Sequence, residues 1–442
     1  MRQAGLTTLP PGPRLPPALQ SVLIWTASRW MQERCHRRYG PVFSIYAAPL
    51  GRMVYLADST DIKDVFAGDP SVFHAGEVVA PARGLLGPSS VLLLDGQPHR
   101  ERRRLMMPPF HRDAVARHAA LMTGLAAEEI DRWPVGAPFA MGPRMSALTL
   151  EVILRIVVGT SDPARLARLH TAITQLTELR TIDQLALLYP QLIGHGPWRR
   201  LRRRLAAADE LLYTEIRERR ADPALADRAD VLAMIIRGGG RLTDADLRDQ
   251  LVTLLVAGHG TTATTLSWLF ERLVRHPEVL RRAVRAADGD EPEGRDYLDA
   301  VIKETLRVRP IGGAVARKLT RPVSLAGYDL PAGVVVAPTM GLVHADPRHY
   351  PDPQRFDPDR MLGATLSPST WLPFGGGARR CLGATLAMAE MRIVLREVLR
   401  RVELATTTEP DERQRSRHGT LTPHQGALVR VRARREPRVA PG

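Results

Sequence analysis

Residues 243 to 276 read as one helix about 50 Å long, and a chain carrying a rod of that length must build its core around it. Thr243-Asp-Ala-Asp246 supplies a capping signal at one end, and His276-Pro277 closes the other. The centre is weak. Ala257-Gly-His-Gly-Thr-Thr262 holds two glycines, each costing about 1 kcal/mol relative to alanine inside a helix. Thr261 can offer its hydroxyl to the carbonyl of Ala257, four residues back, which bends the helix and loosens its ladder. A tight crossing of two helices would explain Gly258 and Gly260, and so would the close approach of something bulky. A planar ligand and a small gas molecule would fit such a groove.

The rest of the chain supports a mainly α (α+β) fold. Residues 41 to 66 alternate apolar and polar positions between glycines and prolines, as a short hairpin followed by a helix would. Helical spacing runs from 113 to 290, with breaks at Trp133-Pro134, around Asp162-Pro163 and at Gly194-His-Gly-Pro197. After Pro310 the texture changes to short β-like runs such as Val334-Val-Val336, with turn signals at Ala326-Gly-Tyr328 and Pro331-Ala-Gly333. A Pro- and Asp-rich loop (346 to 360), a helix from about 384 to 402 and a final hairpin within 420 to 431 complete the reading. No linker divides the middle, so residues 1–442 are expected to form a single domain. Residues 1–17 are expected to be a Pro-rich extended lead-in, and residues from about 434 to 442 a flexible tail.

Phe374-Gly-Gly-Gly-Ala-Arg-Arg-Cys381-Leu-Gly383 carries the sharpest chemistry. Its glycines permit a tight turn and close approach to a flat ligand. The following helix points unpaired N–H groups and the positive end of its dipole at the sulfur. Arg379 and Arg380 add positive charge, and all of these favour thiolate over thiol. A structural cysteine and a thiol nucleophile remain alternatives, although no local Cys/His signature marks a nucleophile. Cys35, in Arg34-Cys-His-Arg-Arg38, reads as incidental.

The segment matches Phe-x-x-Gly-x-Arg-x-Cys-x-Gly, and the chain resembles the cytochrome P450 family over nearly all of its length. The resemblance implies a helical prism with a smaller β-sheet region and one haem b (iron protoporphyrin IX) ligated by Cys381. It also implies a haem contact surface at Phe374, Gly375 and Gly383. His99 and Arg103, four apart on one helix face, join Arg317 and Arg379 as propionate partners. Thr261, with Gly258 and Thr262, would form the oxygen groove. Many relatives carry an acid immediately before that threonine, whereas this chain has Gly260, and His259 lies about 100° around the helix. Glu304 and Arg307 resemble the family's Glu-x-x-Arg pair, with Arg360 as third member.

The implied reaction is insertion of one oxygen atom of O2 into a hydrophobic small molecule, with electrons from a separate ferredoxin- or flavodoxin-type partner and its reductase. A haem-thiolate isomerase, dehydratase or peroxygenase, or a non-catalytic haem sensor, are the alternatives. Family position puts residues 77 to 94, 311 to 315 and 420 to 422 around the substrate.

Composition narrows the setting. The formal charge is +15, and all but three of the 62 basic side chains are arginine. With 5% aromatics and no recognised binding motif, nucleic acid is not expected. Arg199-Arg-Leu-Arg-Arg-Arg204 and the cluster Arg100, Arg102 and Arg104 read most simply as solvated faces, and the latter with Arg380 would also suit an acidic redox protein. Two cysteines exclude a disulfide framework. The longest apolar runs fall well short of the roughly 18 residues of a membrane span. A cytoplasmic monomer without a transmembrane anchor is therefore expected.

Overall fold

The computed structural model describes residues 9–179, 183, 186, 195–238, 242–289, 291–417 and 420–435. Residues 1–8 of the lead-in, residues 436–442 of the tail and Gly194 lie outside that set.

The central rod forms as its ends dictate. The helix Asp244–Arg275 begins with a reciprocal cap, in which Thr243 Oγ1 accepts from the N–H of Asp246 and the Asp246 carboxylate accepts from the N–H of Thr243. Acidic Asp244 and Asp246 stand at its positive end, and Arg272 and Arg275 at its negative end. Most of its length is buried on all sides, chiefly against Met141–Val157 and within the main apolar core. Helices Ala119–Asp131, Pro163–Thr177, Arg199–Ala221 and Pro292–Val308 surround it, separated at the expected breaks. Arg199, Arg200, Arg202 and Arg203 are exposed, as a solvated face requires.

The β portion is a five-stranded sheet in the order Val42–Ala47, Gly51–Leu56, Val335–Pro338, Arg317–Leu319, Phe73–His74. Only the Gly51–Leu56/Val335–Pro338 pair is parallel. The Pro-rich lead-in runs extended along its outer strand: Ser44 donates its N–H to Pro11 O and its hydroxyl to Pro10 O, both at 2.8 Å. Ala326 and Gly327 turn the small hairpin Val323–Leu325/Tyr328–Leu330 with φ of 54° and 79°, the sign that a two-residue turn needs.

The final hairpin differs from its reading. Thr420–Pro423 pairs with Gln414–Arg417, whereas Leu428–Arg434 leaves to join Pro138–Ala140 and Val402–Leu404 in another sheet. Those partners lie far off in sequence, so local alternation could not find them.

A buried polar knot ties the helix Pro292–Val308 to the later loop. Arg307 makes two 2.7 Å bonds to Glu304 and donates to the carbonyls of His344, Pro353 and Arg355. Arg360 Nε lies 3.2 Å from Glu304 Oε1, completing the expected trio. His344 bridges onward: its Nδ1–H donates to Arg307 O (3.2 Å), and its Nε2 accepts from the N–H of Leu372, just ahead of the cysteine loop (3.0 Å). Full burial, reinforced by the Arg307 charge, pushes its pKa down to about 3. The folded protein therefore holds a neutral imidazole that the unfolded chain protonates near 6.5. Its stabilisation is complete above pH 6.5 and is lost as pH falls toward 3. Comparing urea unfolding of wild type and His344→Gln, the wild-type advantage should shrink by roughly 2 kcal/mol between pH 7 and pH 4.5.

Candidate functional site

The cysteine loop is shaped by hydrogen bonds close in sequence. Cys381 donates its N–H to Phe374 O and Gly375 to Leu372 O, each at 2.8 Å. Gly377 has φ of +63°, and a Cβ there would collide with the Phe66 carbonyl. The neighbouring Gly376 would meet the Phe66 ring. These two glycines therefore seat the loop on the end of the helix Ser59–Ala67, a role that the sequence reading gave to a ligand. Gly375, with φ of +62°, lies against Val315, and a Cβ on Gly383 would meet nothing within 4 Å. Phe374 is half-buried and packs its ring edge-on to Trp371, 5.8 Å between centroids.

Cys381 is exposed on one side, at the start of the helix Ala384–Arg401. Burial on its other sides pushes the thiol up, against the opposing pull of the Gly383 N–H, Arg103 and Arg380. A bound metal cation would favour the thiolate further.

Beside the loop, three separated segments bring together His99, Arg103, Arg317 and Arg379. His99 and Arg103 come from the helix Gly96–Met106, Arg317 from a sheet strand and Arg379 from the loop. Burial lowers His99 to about 4, assisted by Arg379, Arg103 and Arg317. Burial followed by Arg379 lowers Arg317 to about 10, and Arg103 and Arg379 are lowered by desolvation too. Asp95 is the carboxylate that opposes this field at His99, Arg317 and Arg379. It pairs with Arg379, which also donates to Leu94 O and Val91 O, and it accepts the N–H groups of Ala75 and Gly76. Arg103 and Arg317 have no ion pair among the described residues, and Arg317 donates only to Ala316 O. A buried, under-compensated cluster of this kind fits a dianionic group.

The weak centre of the long helix presents Ala257 and Thr261, one turn apart, as exposed positions between buried stretches. Thr261 donates to Ala257 O at 3.0 Å, as expected, and the buried Thr262 donates to Gly258 O at 3.2 Å. Gly258 lies against Ile153, where a Cβ would sit 3.0 Å away, so a helix crossing accounts for it. Gly260 has open space. His259 is buried on another face, with Nδ1 2.7 Å from Leu255 O, and its pKa is lowered by burial.

Three residues of the helix escaped the sequence reading. Asp249 accepts from Ser89 N–H (2.9 Å), Gln250 exchanges bonds with Val91 and Ser89, and Thr253 meets Ser90 (2.7 Å). They pin residues 87–91 beside the weak centre. Asp95 was missed as well; its only local signal was an acid opening a helix. Arg102 is turned away to Asp246 at 3.1 Å and does not join Arg100, Arg104 and Arg380 on the open surface.

A sequence model of the cytochrome P450 family matches residues 10–431. The chain belongs to the cytochrome P450 family. It is 58% identical over 435 residues to cytochrome P450 135B1 of Mycobacterium bovis and of Mycobacterium tuberculosis, covering 97% of this chain and 92% of each relative. Cytochrome P450 135A1 of Mycobacterium tuberculosis is 40% identical, covering 96% and 95%. The fold is shared with cyanobacterial CYP120A1, solved with retinoic acid bound (TM-score 0.82, 23% identity, 96% and 99% covered). It is also shared with the P450DA haem domain (TM-score 0.78, 22% identity, 98% and 99% covered). This cytochrome P450 is a haem-thiolate monooxygenase that uses O2 and electrons from a redox partner. No helix among the described residues is long and apolar enough to cross a membrane.

The cation cluster separates a cofactor role from a structural one. Arg317→Leu removes a buried charge without an ion pair, so the cofactor-free protein should be no less stable to urea. Haem loss to apomyoglobin should become about tenfold faster or more, the scale of one charge-assisted bond.

Proposed function

We propose that Cys381 ligates the haem iron and that His99, Arg103, Arg317 and Arg379 receive the propionates, with Phe374, Gly375 and Gly383 against the proximal face. The observation that carries this reading is the pairing of a one-sided exposed thiol with a buried cation cluster short of counter-charge. Thr261, with Gly258 and Thr262, borders the oxygen side. When bound, haem supplies oxygen activation; the chain supplies position, polarity and protons.

Thr261 bonds to its own backbone and can exchange that bond for one to a ligand. Gly260 brings no carboxylate beside it, and His259 is turned away and held neutral by burial. Protons therefore reach Thr261 through water from the open side of the helix. The substrate is a hydrophobic small molecule, in keeping with the apolar residues at 84 to 86, 91 to 94 and 311 to 315. Electrons come from a separate acidic ferredoxin or flavodoxin, docking over exposed Arg100, Arg104 and Arg380. Gly260 favours one second reading, peroxide-driven turnover, which needs no efficient proton relay.

The reduced protein should give a thiolate-type carbon monoxide difference band that Cys381→Ala abolishes; its persistence in the variant would remove Cys381 as ligand. With a substrate found by spin-shift screening, Gly260→Glu should lower peroxide leakage per product formed during turnover with O2 and reductant. Unchanged leakage together with full turnover on peroxide alone would favour the second reading.

A further inference from the structure

The helix Pro17–Thr26 keeps an apolar face outward while burying polar side chains. None of its ten residues is charged, and its buried residues include Gln20 and Ser21. Gln20 Nε2 donates to Pro13 O (3.1 Å) and Leu15 O (2.7 Å), while its Oε1 accepts from Tyr46 N–H (2.8 Å). Ser21 Oγ donates to Pro17 O (2.9 Å) and accepts from Ala48 N–H (3.0 Å). These polar side chains serve the outer strand of the sheet and Ile24 packs in the core beneath it, while Leu19, Val22 and Trp25 face outward. Leu15, Leu19, Val22 and Trp25, spaced four, three and three apart, are 38, 44, 56 and 48% exposed, and Trp30 is 50% exposed. These are five of the eight large exposed hydrophobics among the described residues, so the concentration is not the scatter that an ordinary surface carries.

We propose that this face docks the enzyme onto an anionic lipid bilayer as a peripheral contact. The sequence around it is mostly of one sign. Residues 9–41 hold five arginines (Arg14, Arg29, Arg34, Arg37, Arg38) and one acid, Glu33, which is already paired with Arg29 at 2.8 Å. Arg34 lies over the Trp30 ring, 5.7 Å from its centroid. Trp25 turns its N–H inward to Ala48 O (2.8 Å), which leaves its ring free for an apolar medium. Outward tryptophan and leucine bordered by arginine is the composition of a helix lying in a lipid interface. A second copy of the chain suits the face less well. Two-fold pairing would bring two arginine rims together, and the buried Gln20 and Ser21 leave few polar groups to pair across the contact.

The location gives the contact a use. Ser28 and Gln32 of the adjoining helix Ser28–Tyr39 pack against Gly313, where a Cβ would lie 3.6 and 3.7 Å from their side chains. Arg29 reaches Gln414 at 3.2 Å, and Leu421 N–H bonds to Ile311 O at 2.9 Å. The helix following the apolar face thus touches the segments proposed above to border the substrate, where a lipid-dissolved molecule would arrive. That use rests on the proposed substrate site; the docking does not.

Flotation of haem-loaded, full-length protein with vesicles tests the docking. The protein should float with phosphatidylcholine vesicles containing about 30% phosphatidylglycerol, and roughly fivefold less with phosphatidylcholine alone or in about 0.5 M salt. Brominated lipid should quench tryptophan fluorescence. Leu19→Gln/Val22→Gln should reduce flotation about tenfold with an unchanged haem spectrum and melting temperature. Absence of flotation, or equal flotation of wild type and variant, overturns the proposal. So does a wild-type dimer in sedimentation that the double variant abolishes without vesicle binding, which would give the face to a second copy.

Discussion

Arginine charge crowded beside arginine charge is the constraint that the rest of this structure has to satisfy. Arg103, Arg317 and Arg379 surround a neutral His99 where water is scarce, and burial depresses all four. Such an arrangement persists only if each side chain is carried on an element held elsewhere. Arg317 is held by the sheet, His99 and Arg103 by a helix, and Arg379 by a loop locked on Phe66 and Asp95.

The centre of the long helix follows a different logic. Its hydroxyls turn back on their own helix: Thr261, Thr262, Thr264 and Thr265 each donate to the carbonyl four residues earlier. That local satisfaction leaves the helix centre polar without fixing a charge there. The stronger polar contacts lie one to two turns earlier, where Asp249, Gln250 and Thr253 hold residues 87–91.

What the sequence disclosed was what local chemistry decides. The rod at 243 to 276 was legible because its cap and closing proline lie within the segment itself, and the turn at Ala326-Gly327 because backbone sterics decide it. The cysteine loop was legible as a motif, but two of its glycines serve Phe66, more than 300 residues earlier. Asp95 opposite Arg379, Arg102 on Asp246 and the partners of Leu428–Arg434 were hidden for the same reason: each joins residues that only the folded chain brings together. The burial of Cys381, which opposes the pull of the nearby arginines, was not visible in sequence. The first helix concealed itself in another way, since its polar residues point where apolar ones are expected.

The seating of Gly376 and Gly377 on Phe66 has a consequence for how the protein is made. Residues 59–67 leave the ribosome long before residues 374–383, and Asp95 must also be in place to pair with Arg379. A chain synthesised only as far as residue 373 therefore lacks this loop, however much of the rod and sheet it has folded. If the loop holds the haem as proposed, cofactor capture must wait until most of the chain is made.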